Sequence, residues 1–272
     1  MSRIYGNGAG DTLGDRLVTC KPLYVASTNT IWYVNSNGGV DGAFPNGKNR
    51  EAPLATLAQA LTNASDNDII ELMSGHTESP TTGYTINKKL IIVGGGSAGG
   101  KPTVKMGCTA VELITRFTVT ATNVEFRNIW FPKGQFSASV TMLVSAALFR
   151  CKGCYFELDV DDNGLELASG ADSARVSNTT FISVATDPGN LPATGMRTNA
   201  TVSDLEMDGV TFSAGTLGFS NPYAFDTGGN ILNRLKAENI NLLLGADVNL
   251  LTVGNTGYFN PQLSTGGSTV QF

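Results

Sequence analysis

The sequence predicts an all-β fold, a right-handed parallel β-helix (solenoid) with a short N-terminal capping helix. Three observations predict it. From Ile69 onward the chain runs as short strand-like segments separated by turns, with no second good helical stretch. Glycine makes up 32 of 272 residues without a triplet period, which fits many tight turns rather than collagen. Five segments, VEFRNIWF (124–131), FRCKGCYF (149–156), RVSNTTF (175–181), LEMDGVTF (205–212) and NRLKAENI (233–240), align without gaps. Their last residues lie 25, 25, 31 and 28 positions apart, about one coil of such a helix with loop insertions in the longer intervals.

The alignment gives each side chain a direction. Phe126, Cys151, Val176, Met207 and Leu235 form one inward column, and Phe131, Phe156, Phe181, Phe212 and Ile240 form a second. Between them stand Asn128, Gly153, Asn178, Gly209 and Ala237. A sharp bend there favours the left-handed backbone that Asn and Gly tolerate, so only Ala237 is awkward.

The elements follow in order. Residues 1–30 carry turn residues and little periodicity, and form an N-terminal arm. The β-helix is expected over 31–245, beginning with the alternating strand IWYVNSNGG at 31–39. Thr56 followed by Gln59 is a capping-box pattern, and Leu57, Ala58, Leu61 and Ala64 have helical spacing. The expected helix, about 56–64, covers the end of the stack, and DNDIIEL at 66–72 is the next strand. Residues 246–272 are expected to form a C-terminal tail.

Three further strings, APLATLAQAL (52–61), DNDIIEL (66–72) and YTINKKLIIVGGGSAGGKPTV (84–104), make the chain resemble the pectate-lyase-like superfamily of parallel β-helices, especially its viral members. The resemblance covers roughly residues 31–255. It implies a fold, and the superfamily includes polysaccharide lyases, glycoside hydrolases, phage tailspikes and non-enzymatic virion proteins.

An enzyme of this kind needs placed carboxylates. Asp161 and Asp162, in LDVDDNG at 158–164, resemble the paired aspartates of the polygalacturonase-like branch, yet no Gly-His-Gly occurs and His76 lies far upstream. If the chain is an enzyme, Asp159, Asp161 and Asp162 are its candidates, with calcium-assisted lyase chemistry drawing on the same cluster. Followed by Asn163-Gly164, they read more simply as a solvated turn. Cys151 and Cys154 form a CxxC without a second pair or neighbouring histidines, and are expected to be buried thiols rather than a metal site. Cys20 and Cys108 are likewise read as free. Gly94-Gly95-Gly96 has no Lys-Ser or Lys-Thr at the spacing of a phosphate loop. No cofactor or metal is expected.

Two outward columns carry charge: Glu125, Arg150, Arg175, Glu206 and Arg234, then Arg127, Lys152, Ser177, Asp208 and Lys236. They suit a cationic groove for an acidic polysaccharide, or a mixed-charge ladder in which the acids relieve the arginines. The acidic ends favour the ladder. A third outward column, Trp130, Tyr155, Thr180 and Thr211, presents two stacked aromatics fit for a sugar platform, a subunit contact, or cover by a loop of the same chain. Trp130, Tyr155, Arg3 and Tyr5 are the candidate partner contacts.

Composition narrows the function. A net charge of −5 offers no field for nucleic acid or an anionic bilayer, and charged residues are only 15% of the chain. No apolar run is long enough for a transmembrane helix, and MSRIYGNGAGD lacks the apolar stretch of a secretion signal, so the protein is expected to stay soluble in the cytoplasm where it is made. The expected function is a structural protein of a tailed-bacteriophage virion, a homotrimeric capsid decoration or cement protein that stabilises the head by contacting the major capsid or other virion proteins. The alternative is a tailspike or fibre module that binds or cleaves host glycan.

Overall fold

The computed structural model describes residues 29–42, 46–79, 82–107, 115–133, 140–159, 162–185, 191–215, 219, 223–227, 230–243, 249–251 and 256–260. Arg3, Tyr5, Asp161, Cys20 and Cys108 lie outside them. The chain coils through three parallel sheets in turn. The first contains Ile31–Val34, Ile69–Leu72, Ile91–Gly94, Glu125–Arg127, Arg150–Lys152, Arg175–Ser177, Glu206–Asp208 and Leu232–Glu238. The second runs from Thr77–Glu78 through Lys105–Met106, Trp130–Phe131, Tyr155–Leu158, Thr180–Ser183 and Thr211–Ser213 to Asn241–Leu243. The third stacks Tyr84–Ile86, Thr115–Val119, Val140–Val144, Asn163–Leu167, Thr194–Thr198, Tyr223–Asp226 and Asn249–Leu251. Among the named strands, the hairpin Ser97–Ala98 with Lys101–Pro102 is the one antiparallel pair described. Gly99 and Gly100, at φ +60 and +81, form its two-residue turn.

Two strands fall within 246–272, the stretch expected as a tail. Asn249–Leu251 extends the third sheet, and Thr256–Asn260 pairs in parallel with Leu232–Glu238.

The core is the inward columns. Phe126 pairs with Cys151, Cys151 with Val176, and Val176 with Met207, in the register the alignment predicts. Phe131, Phe156, Phe181 and Phe212 are fully buried and stack with centroids 4.7, 4.8 and 5.3 Å apart. The fifth copy differs. Met207 stands beside Ala237 rather than Leu235, and Phe212 beside Leu242 rather than Ile240. A shift of two residues preserves which side chains face inward, so the hydrophobic pattern could not detect it. The bend settles it: Asn239, with φ 52, joins Asn128, Gly153, Asn178 and Gly209, all at positive φ. Ala237 is an inward core residue, and the awkward alanine disappears.

A second left-handed column, two residues before Ile69, Glu125, Arg150, Arg175, Glu206 and Lys236 of the first sheet, was not visible in the alignment. It comprises Asn67, Asn123, Leu148, Ser173, Asp204 and Arg234, with φ between 57 and 71. Leu148 is the misfit, at φ 61 and 45% exposed. Left-handed backbone costs an L-residue about 1–2 kcal/mol, and asparagine tolerates it better. Leu148→Asn is therefore expected to stabilise the protein by about 0.5–1 kcal/mol, read as a higher urea midpoint at unchanged slope.

At the amino-terminal end the helix spans Leu57–Asn63 and buries Leu57 and Ala60. Thr56 Oγ1 accepts the Gln59 N–H at 3.2 Å, which is half of the expected capping box. The other half is taken by Asp41, whose carboxylate accepts the Thr56 N–H at 3.0 Å. The Gln59 side chain turns instead to Asn63. At the opposite end Lys88 Nζ donates to the carbonyls of Leu61, Thr62 and Ala64 at 2.7, 3.2 and 2.6 Å, satisfying groups the short helix leaves open.

Candidate functional site

Of the acidic segment singled out in the sequence, Asp159 and Asp162 are described, and both are tied to neighbouring structure. The Asp162 carboxylate is fully buried and lies 3.6 Å from the guanidinium of Arg116, itself 3% exposed. Arg116 also donates to the Pro132 carbonyl at 2.8 Å. Asp162 Oδ2 accepts the Asp159 backbone N–H at 3.3 Å, and the Asp162 N–H returns to the Asp159 carbonyl at 3.1 Å. Asp159 pairs with Lys133 at 2.9 Å. Asp162, expected in a solvated turn, is instead buried. Asn163-Gly164 is not part of the turn either: it opens the buried strand Asn163–Leu167. A Cβ on Gly164 would meet the Gly195 carbonyl oxygen at 2.4 Å, so the glycine reports close packing between strands.

The outer face of the first sheet carries a ladder of mixed sign. With the corrected register its columns read Glu125, Arg150, Arg175, Glu206, Lys236 and Arg127, Lys152, Ser177, Asp208, Glu238. Lys236 and Glu238 replace Arg234 and Lys236 at the end, which makes the strip less cationic than the sequence alignment implied. Glu125 holds Arg127 at 2.5 Å, while Glu206 pairs with Arg175 at 3.1 Å and Lys236 at 3.4 Å. Hydrogen bonds to Glu238 and Glu206 raise the Lys236 pKa. Beside this ladder a cleft of about 230 Å³ is lined by Lys89, Arg150, Glu125, Asn29, Asn67 and Asn123.

Trp130 and Tyr155 are paired neighbours on the second sheet, as predicted, followed by Thr180 and Thr211. Both rings are half-buried. The cover comes from the chain's own hairpin: Lys101 Nζ lies 3.3 Å from the Trp130 centroid and 4.4 Å from that of Tyr155. Glu157 fixes Lys101 with a 2.6 Å ion pair, and Lys105 Nζ lies 4.4 Å from the Trp130 centroid. Burial, then the nearby Glu157 charge, raises the Tyr155 pKa.

Sequence reasoning missed the network around the lone histidine. His76 is fully buried. Its Nδ1 accepts the Ser36 N–H at 2.9 Å, and its Nε2 faces Glu78 Oε2 at 3.1 Å. With Nδ1 accepting, the proton sits on Nε2 and is donated to Glu78. Glu78 also accepts the Leu57 N–H at 2.8 Å and the Tyr84 hydroxyl. Burial, together with the bond to Glu78, holds Tyr84 far above the usual phenol range. The network clasps the capping helix to the first coils, and only the unlikeliness of a solitary buried histidine could have signalled it.

The CxxC thiols are buried in the core, Cys151 in column with Phe126 and Val176. Burial, then the neighbouring Cys154, raises the Cys151 pKa well above its ordinary value. Among the described residues no group of three or more His, Cys, Asp and Glu side chains is gathered as for a metal ion.

Three sheets wound in one sense around a single apolar core define a right-handed parallel β-helix. Its fold is similar to that of a solved pectate lyase. The chain is similar to the solved structure of pectate lyase Pel9A, at 15% identity and a TM-score of 0.51, over 91% of this chain and 79% of that one. It is also similar to a rhamnogalacturonan lyase, at 13% identity and a TM-score of 0.51, over 86% of this chain and 66% of that one. At these identities the likeness is one of fold. No protein-family model matches the chain, and no curated protein does.

Proposed function

We propose that the chain is a non-enzymatic structural protein of a tailed-bacteriophage particle. In this reading it is a decoration or cement protein of the head, assembled in the host cytoplasm, homotrimeric, and docked on the major capsid protein or another virion protein. The observation that carries the non-enzymatic part is the state of the candidate acids: Asp162 is sealed against Arg116 and Asp159 is paired with Lys133. A carboxylate without solvent access cannot reach a polymeric substrate, and general acid or base work needs that reach. The mixed-charge ladder supports the reading too, since it neutralises the strip that an acidic polysaccharide would need.

In mechanism, the stacked coils form a rigid body and the terminal segments bridge to neighbouring subunits. Deleting residues 2–25 is expected to leave a folded β-helix, by circular dichroism and urea midpoint, that no longer binds particles in a co-sedimentation assay. Undiminished binding overturns the bridging role. Polysaccharide cleavage is the competing reading: clearing of a host-glycan lawn by the wild type, lost in the Asp159→Ala/Asp161→Ala/Asp162→Ala variant with its fold intact, would establish it.

A further inference from the structure

An asparagine followed by glycine can lose its side-chain amide, because a residue with no Cβ lets its backbone nitrogen swing onto the preceding side-chain carbonyl carbon. The chain contains this pair at Asn7-Gly8, Asn37-Gly38, Asn46-Gly47 and Asn163-Gly164. Asn7-Gly8 lies outside the described residues. The other three stand in different surroundings. Asn163 and Gly164 open a buried strand, where Asn163 Oδ1 accepts the Thr194 hydroxyl at 2.9 Å and a Cβ on Gly164 would meet the Gly195 carbonyl oxygen. At Asn46-Gly47 the Gly47 N–H donates to the Ala52 carbonyl at 2.7 Å, and a Cβ on Gly47 would meet the Leu54 side chain at 2.7 Å. In both pairs, ring closure must first break what holds the glycine in place. Asn37 and Gly38 are exposed, on the turn that follows the first strand. Gly38 has φ +106, with open space where a Cβ would stand. Asn37 Nδ2 donates to the Gly75 carbonyl at 3.5 Å, the outer limit of a hydrogen bond.

We propose that Asn37-Gly38 is a covalent modification site, where the folded chain deamidates and isomerises with water as the co-reactant, and that the change loosens the clasp at the capped end. The Gly38 backbone nitrogen bonds to Asn37 Cγ while the Cγ–Nδ2 bond breaks. The side-chain nitrogen leaves as ammonia, carrying the proton that the Gly38 amide gave up. Water then opens the resulting succinimide at either carbonyl, leaving aspartate or isoaspartate. The turn has little slack for either product. Its Gly39 N–H donates to the Asn35 carbonyl at 2.9 Å, and a Cβ on Gly39 would stand 2.3 Å from the carbonyl oxygens of Asn35 and Leu54. Beside Asn37, the Ser36 N–H donates to His76 Nδ1 at 2.9 Å and Ser36 Oγ accepts the Thr77 N–H at 3.0 Å. Isoaspartate lengthens the main chain of this turn by a methylene. Both products set a carboxylate against the Gly75 carbonyl, so two acceptors face each other where a donor stood. The inference needs no partner, and is independent of the virion reading.

The test ages the full chain in mildly alkaline buffer and follows each Asn-Gly pair by peptide mapping with tandem mass spectrometry. In the folded chain, the gain of one mass unit is expected to appear at Asn37 at least about tenfold faster than at Asn46 or Asn163. In urea, where the surroundings are lost, the three rates are expected to converge. Equal rates at Asn37 and either other site in the folded chain overturn the proposal, as does an Asn37 that reacts only when the chain is unfolded. Amide exchange reads the clasp. In the aged chain the Ser36 and Thr77 amides are expected to exchange about tenfold faster than in the fresh chain. Asn37→Gln, which cannot close the five-membered ring, is expected to keep its fresh rates when aged alongside. Unchanged exchange in aged protein that carries isoaspartate at Asn37 overturns the link to the clasp.

Discussion

Phe156→Ala is expected to cost about 3–5 kcal/mol of stability, a sizeable share of what a folded domain has to lose. The ring is fully buried between Phe131 at 4.7 Å and Phe181 at 4.8 Å. Truncation removes its apolar burial and two stacked contacts, and leaves a cavity that strands bonded above and below cannot close. Urea denaturation measures the loss. Coils in a solenoid touch mainly their neighbours, so amide-exchange protection should fall most in the coils around Phe156 and least near the capping helix. An unchanged midpoint would refute the stack as the core of the protein.

A loss of similar size is expected for Arg116→Met. Its guanidinium is the cation beside a carboxylate with no solvent access, 3.6 Å away. Removing one partner of a buried pair strands the other charge, at a cost of about 3–5 kcal/mol. The double variant Arg116→Met/Asp162→Asn removes both charges and should recover much of the stability. The cycle bears on function as well. If Arg116→Met were as stable as the wild type, Asp162 would not be a structural charge, and the enzymatic alternative would gain ground.

The fold was legible in the sequence because its inward columns repeat at one coil, and four of the five aligned copies have the observed register. The fifth slipped because two-residue periodicity is blind to even shifts; the Asn or Gly at the bend was the better guide, and Asn239 marked the register. The second left-handed column stayed hidden because Leu148, Ser173 and Arg234 are not residues that advertise such a backbone. At the candidate site, sequence placed Trp130 beside Tyr155 but could not foresee Lys101, which reaches them from a hairpin outside the repeat. It likewise took Asn163-Gly164 as a turn, because an Asn-Gly pair looks the same in a loop and in a strand packed too closely for a side chain.

The wall of the second sheet is also a ruler. Its seven strands, each about 4.8 Å above the last, make a graduated edge roughly 29 Å tall. Lys105, Trp130 and Tyr155 are consecutive marks on it, and the capping helix fixes its zero. A partner that grips two points along this edge is therefore measuring a whole number of coils. Inserting one coil between those points would move the grip by about 4.8 Å while leaving the contacts within each coil in place.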